Sequence, residues 1–89
     1  QLHKNFPNPF NAETTIRFDL PQAESVELSI YNSVGQRIRT LVDGVQSAGN
    51  HQIVWDSRTD EGQLVASGTY VYVLQSSDLR IARPLLLLK

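Results

Sequence analysis

Short runs in which apolar and polar residues alternate constrain the fold of this chain more than any other feature. In residues 15–20, Ile16, Phe18 and Leu20 alternate with polar side chains, and residues 26–30 repeat the pattern. A period of two is that of a β-strand with one face in a core and the other in water. No window of about eleven residues carries a helical apolar stripe. The sequence therefore predicts an all-β protein.

Further runs, and the turns between them, extend this prediction to the rest of the chain. Adjacent Leu41 and Val42 predict a bulge or a strand end, and Pro84, which cannot donate to a ladder, places the last run at a sheet edge or a bulge. Residues 32–35 suit a tight hairpin in which Gly35 takes a positive φ. Short strands separated by turns about every 8–12 residues predict an immunoglobulin-like antiparallel β-sandwich of about seven strands. The remaining runs lie at residues 37–42, 50–56, 69–75 and 79–88.

Length sets the domain organisation. A chain of 89 residues is long enough for one domain and too short for two independent cores. We expect residues 1–12 to form an extended lead-in and residues 13–89 to form the sandwich. Because the chain begins without Met and without a basic stretch followed by an apolar run, we expect it to be part of a longer protein.

Composition argues against several classes of function. The absence of Cys excludes zinc ribbons, thiol catalysis and redox motifs, and a formal net charge of −1 argues against nucleic-acid binding. The five glycines are scattered among the turns, so no phosphate-binding loop and no cofactor are predicted. The longest apolar run, residues 85–88, is far shorter than the roughly 20 residues that span a bilayer, so no transmembrane segment is expected.

No arrangement of residues predicts catalysis. Ser67, His51 and Asp56 could be written as a triad, but no G-x-S-x-G turn presents the serine. We expect His51 to be a partly buried strand residue, and nothing pairs with His3 by spacing. The sequence therefore predicts no catalytic residues and a protein that is not an enzyme.

One carboxylate cluster, in residues 56–62, allows two interpretations. Asp56 and Asp60, with loop carbonyls, could supply oxygen ligands to calcium. The spacing departs from the EF-hand pattern, because Arg58 holds a ligand position. Alternatively, both carboxylates accept hydrogen bonds from nearby backbone amides and fix the turns. The second interpretation is favoured.

Three aromatic residues could pack in the core or bind a ligand. Trp55 alternates with Ile53 and is expected in the core, although an exposed Trp could stack on a sugar. Tyr70 and Tyr72 share one face of a strand, at the spacing of a sugar-binding platform and equally of a sandwich core. The core is the favoured position for both tyrosines.

The two ends of the chain are unusual. In residues 5–11, two prolines restrict the backbone and two phenylalanines can fold onto apolar surface, so this segment is either a rigid clamp over one end of the sandwich or a recognition feature. The last run ends in four consecutive leucines, which place apolar side chains on both faces of a strand. An edge strand of this kind aggregates unless it is covered, and it can also receive a partner by strand addition or face packing.

These ends resemble a known family. Residues 1–12, QLHKNFPNPFNA, resemble the opening of the C-terminal sorting domains of type IX secretion cargo, and RIARPLLLLK resembles their final strand with its terminal lysine. The middle of the chain, IYNSVGQRIRTLVDG and AGNHQIVWDSRTDEGQLVASGTYVYVL, is similar both to that family and to the related immunoglobulin-like domain of flagellar hook-capping proteins. The resemblance covers nearly the whole chain.

The resemblance implies a non-catalytic C-terminal sorting domain of a secreted protein. Such a domain directs export of its parent protein across the outer membrane, and its partners are the secretion translocon, a sortase and the upstream domain of the parent. It implies a secreted or cell-surface location, reached through the periplasm of a Gram-negative, Bacteroidetes-like bacterium. The recognition residues implied are Asn8, Pro9, Phe10, Asn11, Gly68, Tyr70, Tyr72, Leu85, Leu86, Leu87, Leu88 and Lys89.

Two other functions remain open at the level of sequence. One is a structural spacer or assembly module, as in hook capping, which a parent chain continuing beyond Lys89 would favour. The other is a carbohydrate-binding module.

Overall fold

A computed structural model describes all residues from Gln1 to Lys89. Every pair of neighbouring strands is antiparallel. One sheet pairs β1 with β4, and the other has the order β3-β2-β5-β6. This architecture confirms the predicted all-β sandwich, and no helix long and apolar enough to cross a membrane is present. The strands are β1 Thr14–Leu20, β2 Glu24–Tyr31, β3 Arg37–Gln46, β4 Gly49–Trp55, β5 Gly68–Gln75 and β6 Arg80–Leu87.

The alternating residues of both sheets meet in one core. Ile16 and Phe18 of β1 face Leu28 and Ile30 of β2 across it, and all four are at most 1% exposed. Trp55 closes one end of the core and is fully buried, as the alternation with Ile53 predicted. The other members of the cluster are Leu2, Phe10, Leu20, Val26, Tyr70, Tyr72, Leu74, Leu85 and Leu87.

The turn and the bulge predicted between β2 and β3 are both present. The side-chain oxygen of Asn32 accepts hydrogen bonds from the backbone amides of Val34, at 3.1 Å, and Gln36, at 2.9 Å. Gly35 has a φ of 86°, a conformation that glycine adopts without a steric penalty. Leu28 pairs with Val42 and Ser29 with Thr40, so Leu41 is the extra residue of a bulge.

The last strand lies at a sheet edge, as Pro84 predicted. β6 is outermost in the four-stranded sheet, and Pro84 stands opposite Val71 in its ladder with β5. A proline is tolerated there because an edge strand has one side without ladder hydrogen bonds.

The structure has six regular strands, where about seven were expected. The N-terminal segment, residues 1–12, which we call the lead-in, lies where a further strand would. It makes isolated bridges to β1 and to Leu87 in place of a continuous ladder. Pro7 and Pro9 lack backbone amide protons and interrupt such a ladder. Their peptide bonds with Phe6 and Asn8 are cis.

Because Trp55 is fully buried, its truncation tests the core directly. We expect Trp55→Ala to lower the free energy of unfolding in urea by about 3–5 kcal/mol, through lost apolar burial and the cavity left behind. Val34→Ala, at a position 77% exposed, is the matched control and should change it by less than about 0.5 kcal/mol. Equal effects of the two variants would contradict the described core.

Candidate functional site

The first half of the lead-in extends the two-stranded sheet. The His3 amide donates to the Arg17 carbonyl at 3.0 Å, and Phe6 and Thr15 exchange two backbone hydrogen bonds of 3.0 and 2.8 Å. Leu2 bridges Phe18 and is buried in the core. This half of the lead-in therefore covers the edge of β1 that β4 leaves free.

The second half of the lead-in crosses to the other sheet and covers the end of β6. The Phe10 amide donates to the Leu86 carbonyl at 3.0 Å, and the Leu88 amide donates to the Phe10 carbonyl at 2.8 Å. The side-chain oxygen of Asn8 accepts from the Leu86 amide at 3.0 Å. Phe10 and Leu87 form a parallel bridge. The predicted edge strand is therefore covered over its last residues by the chain's own N-terminal segment.

Side chains of the four-stranded sheet and of the loop after β4 hold the lead-in. The Tyr72 hydroxyl donates to the His3 carbonyl at 2.6 Å, and Nε of Arg83 donates to the Leu2 carbonyl at 2.8 Å. The Ser57 hydroxyl donates to the Ala12 carbonyl at 2.6 Å. Buried backbone carbonyls need such partners, so each contact offsets the cost of removing the lead-in from water.

Phe10 anchors the crossing point in the core. Its ring is tilted against Trp55 with a centroid separation of 5.9 Å, and Trp55 in turn meets the edge of Tyr70 at 5.6 Å. Tilted aromatic pairs at these separations contribute favourably beyond the area that they bury. Phe6, by contrast, is 75% exposed, so only one of the two lead-in phenylalanines folds onto the core.

The structure brings the recognition residues inferred from the two chain ends into one region. We call residues 8–11 together with residues 85–89 the seam, because the two segments lie side by side through the Phe10–Leu87 bridge. Gly68 stands opposite Leu87 and Tyr70 opposite Leu85 in the β5–β6 ladder. Residues separated by most of the chain length are therefore neighbours in the folded protein.

Burial divides these twelve residues into two groups. Exposed or half-buried residues can meet a partner directly, and they are Asn8, Pro9, Asn11, Gly68, Leu86, Leu88 and Lys89. The others are buried, so in the folded domain they can act only by holding the seam in shape: Phe10, Tyr70, Tyr72, Leu85 and Leu87. Tyr70 and Tyr72 therefore cannot form a sugar-binding platform, because both rings are buried in the core.

The carboxylates of the calcium candidates face an arginine. Oδ1 of Asp56 accepts from Nη1 of Arg39 at 3.1 Å and from the Arg58 amide at 3.2 Å. Oδ1 of Asp60 accepts from the Thr40 amide at 3.0 Å and lies 3.9 Å from Nε of Arg39. No group of three or more metal-ligating side chains is present. A calcium ion would have to displace this guanidinium. The geometry fits the turn-fixing interpretation for Asp56, whereas Asp60 connects its loop to the distant Thr40 of β3.

The three residues of the formal triad have separate partners. Nε2 of His51 lies 2.7 Å from the Ser47 carbonyl, and its ring stacks on Phe18 at 5.0 Å. Asp56 pairs with Arg39, as described above. The Ser67 hydroxyl accepts from the Lys89 amide at 3.0 Å. The structure does not bring a serine, a histidine and an acid together from these residues.

Comparison with known proteins identifies the family of the sandwich. The family model of the FlgD Ig-like domain matches residues 7–79. The chain belongs to this family. Its members are non-catalytic in general. The match ends before β6 and begins after residue 6, so the first six residues and the whole of β6 lie outside it.

A solved structure shares the fold. PorZ of Porphyromonas gingivalis, described as an essential bacterial surface component of the type IX secretion system, superposes on 99% of this chain with a TM-score of 0.67 at 16% identity. The chain spans 11% of the length of PorZ. No curated protein matches the chain.

The hydrogen bond from the Leu86 amide to Asn8 can be tested by truncation. We expect Asn8→Ala to lower the free energy of unfolding by about 1 kcal/mol and to speed exchange of the Leu86 amide proton, because that donor loses its acceptor. Asn11→Ala is the control, since Asn11 is exposed and makes no side-chain hydrogen bond. If the Leu86 amide proton exchanges at the same rate in both variants, the Asn8 contact does not hold the lead-in.

The buried tyrosines predict a loss of stability in alkali. Burial raises the pKa of both Tyr70 and Tyr72 above 10.0, and for Tyr72 the Asn5 backbone and the Arg83 charge partly offset it. The unfolded chain therefore releases these protons at lower pH than the folded protein does. The contribution of the two neutral tyrosines to stability is fully present below the unfolded pKa and is lost as pH rises through the folded pKa values.

We therefore expect the free energy of unfolding to fall as pH rises from about pH 9 to values above the unfolded pKa of about 10. The double variant Tyr70→Phe Tyr72→Phe should be less stable at the lower pH, because two hydroxyl hydrogen bonds are lost, and should show a weaker decrease. An identical slope in the two proteins would contradict this account.

Proposed function

We propose that the chain is a non-catalytic C-terminal sorting domain, which directs export of its parent protein across the outer membrane by type IX secretion and its attachment to the cell surface. The observation that carries the proposal is the seam. The two segments that resemble the start and the end of sorting domains lie side by side, joined by the hydrogen bonds of Phe10 with Leu86 and Leu88. A single partner could therefore contact both.

The fold supports the same proposal at a coarser level. The chain is an immunoglobulin-like module of the FlgD family, and a domain-sized part of PorZ, a surface component of a type IX system, has the same fold; both findings support a structural or assembly role. Ser67, His51 and Asp56, which could be written as a triad from the sequence, are not brought together in the sandwich. Its role in this proposal is to be held by other proteins.

The partners in the proposal are the outer-membrane translocon and a sortase. They would contact the exposed part of the seam, in which the polar side chains of Asn8 and Asn11 lie near the apolar Leu88 and the charged Lys89. The upstream domain of the parent protein would precede Gln1, and the route would run through the periplasm of a Gram-negative, Bacteroidetes-like bacterium. Recognition would be by surface contact, since the covered end of β6 is not free to receive another strand.

A second candidate is a structural spacer or assembly module. It is favoured by the extent of the family match, which covers the body of the sandwich and excludes β6. A module of this kind would use the sandwich as a rigid connection between neighbouring domains. A parent chain that continues beyond Lys89 into another folded domain would favour it over sorting.

Export of a fusion protein separates the two candidates. A signal peptide, a fluorescent protein and residues 1–89 are joined in that order and expressed in a bacterium with type IX secretion. We expect fluorescence on the cell surface or in the medium. In an otherwise identical bacterial strain that lacks the translocon, we expect the fusion protein to be retained in the periplasm. Periplasmic retention in the competent host would overturn the sorting proposal.

Paired variants locate the signal on the seam. Leu88→Glu combined with Lys89→Glu changes two exposed side chains, so the fold should persist while export is reduced. Val34→Glu is the matched control, at an exposed position in the β2–β3 turn, and should be exported normally. Equal export of both fusions would place recognition elsewhere.

A further inference from the structure

A groove of about 480 Å³ lies between the lead-in and the four-stranded sheet. Its walls include Lys4, Asn5, Phe6 and Pro9 of the lead-in, and Tyr72 and Arg83 of the sheet. The volume is within the range of about 300–1,000 Å³ that is typical of small-molecule sites. The groove adjoins the exposed side of the seam but is formed mainly by residues that the sorting proposal does not use.

The charge of the groove is positive and uncompensated. Lys4 and Arg83 line it, and no acidic residue does. The ion pairs of the molecule involve His3, Arg37 and Arg39, and neither Lys4 nor Arg83 belongs to one. Arg83 uses Nε to bind the Leu2 carbonyl, and its two terminal nitrogens donate to no group of the chain. A planar guanidinium with free donors is suited to a carboxylate or a phosphate.

The wall of the groove also has an unmet hydrogen-bond requirement. Asn5 is 4% exposed, and its amide nitrogen donates to the Pro7 carbonyl at 3.2 Å and to the Thr14 hydroxyl at 3.0 Å. Its side-chain oxygen has no partner in the chain. A buried acceptor without a donor is costly, and a small opening of this wall would let a ligand hydroxyl or a bridging water supply one.

An exposed aromatic ring stands at the rim. Phe6 is 75% exposed although its backbone is fixed by two hydrogen bonds with Thr15. The backbone that carries the ring is therefore fixed, and the ring itself is not needed for the core. A flat apolar face beside two cations suits a ring-shaped ligand with one apolar face, several hydroxyls and an anionic group.

We infer that this groove binds an acidic saccharide, a sugar ring that carries a carboxylate or a phosphate. Arg83 and Lys4 bind the oxyanion, Phe6 packs against the ring, and the Asn5 wall receives a hydroxyl. Binding of this ligand does not depend on the sorting function, since the isolated domain contains the whole groove. Two surface cations and one ring give weak affinity, with a Kd on the order of millimolar.

Titration of the complete chain by NMR tests the inference. The probes are glucuronate and glucose 6-phosphate, with glucose as the uncharged sugar and acetate and inorganic phosphate as anions without a sugar. We expect both acidic sugars to shift the amide signals of Lys4, Phe6 and Arg83, and glucose to leave them unchanged. The absence of a shift with either acidic sugar would overturn the inference. Equal binding of acetate or inorganic phosphate would also overturn it, because the groove would then bind anions without recognising a sugar.

Matched variants assign the contacts. Lys4→Gln and Phe6→Ala change exposed side chains, so both proteins should keep the fold, and each should weaken binding of glucuronate by about 5- to 10-fold. Arg80→Gln, on the same strand as Arg83 but outside the groove, is the control and should bind like the unmodified chain. Unchanged affinity in both groove variants would overturn the assignment.

A conservative variant separates charge from structure at Arg83. Arg83→Lys retains the positive charge and loses the planar fork, so we expect weaker binding with a preserved spectrum of the core. The Lys4→Gln Phe6→Ala protein can also be tested in the secretion fusion. Normal export of that fusion together with lost sugar binding would show that the two functions fail independently.

Discussion

The backbone hydrogen bonds of the lead-in with both sheets are the interaction on which the rest of the structure depends. Without them, the smaller sheet would consist of β1 and β4 alone and would depend on its packing against the larger sheet, because two strands by themselves are marginal in water. Leu87 would keep its place beside Gly68 but lose the cover of Phe10, and the unpaired groups of Leu86 and Leu88 would lie on an open edge. In a small domain without disulfides, this one segment closes the core and protects the edge.

The sequence predicts the parts of this structure that depend on local periodicity. Alternation is sufficient for the strands, the Leu41 bulge and the burial of Trp55, because a strand residue's face follows from its neighbours. It cannot distinguish Phe6 from Phe10, since the lead-in has no period and the crossing between sheets decides which ring enters the core. Pairs such as Asp56 with Arg39, which meet through folding of distant segments, leave no local signal either. For the same reason the groove at Arg83 could not be predicted.

The exposed side of the seam is determined by the buried side. Leu85 and Leu87 enter the core, so Leu86 and Leu88 must point the other way, and a slip of one residue would exchange the two rows. Pairing with β5 and with Phe10 opposes such a slip. A partner that contacts Asn8 together with Leu88 therefore meets them as neighbours only after folding. In the proposed function, recognition would select folded domains over unfolded chains.

The difference between a spacer and a sorting domain lies at the ends of the chain rather than in its sandwich. One fold can serve either role, because function resides in the side chains that the fold presents. The family match covers the body of the sandwich, where the core residues need only apolar character and correct volume. The exposed side chains of the lead-in and of the end of the chain, such as those of Phe6, Leu88 and Lys89, are not required for packing of the core. Side chains of this kind, held in place by a rigid backbone, are where a partner or a ligand can be specified without changing the fold.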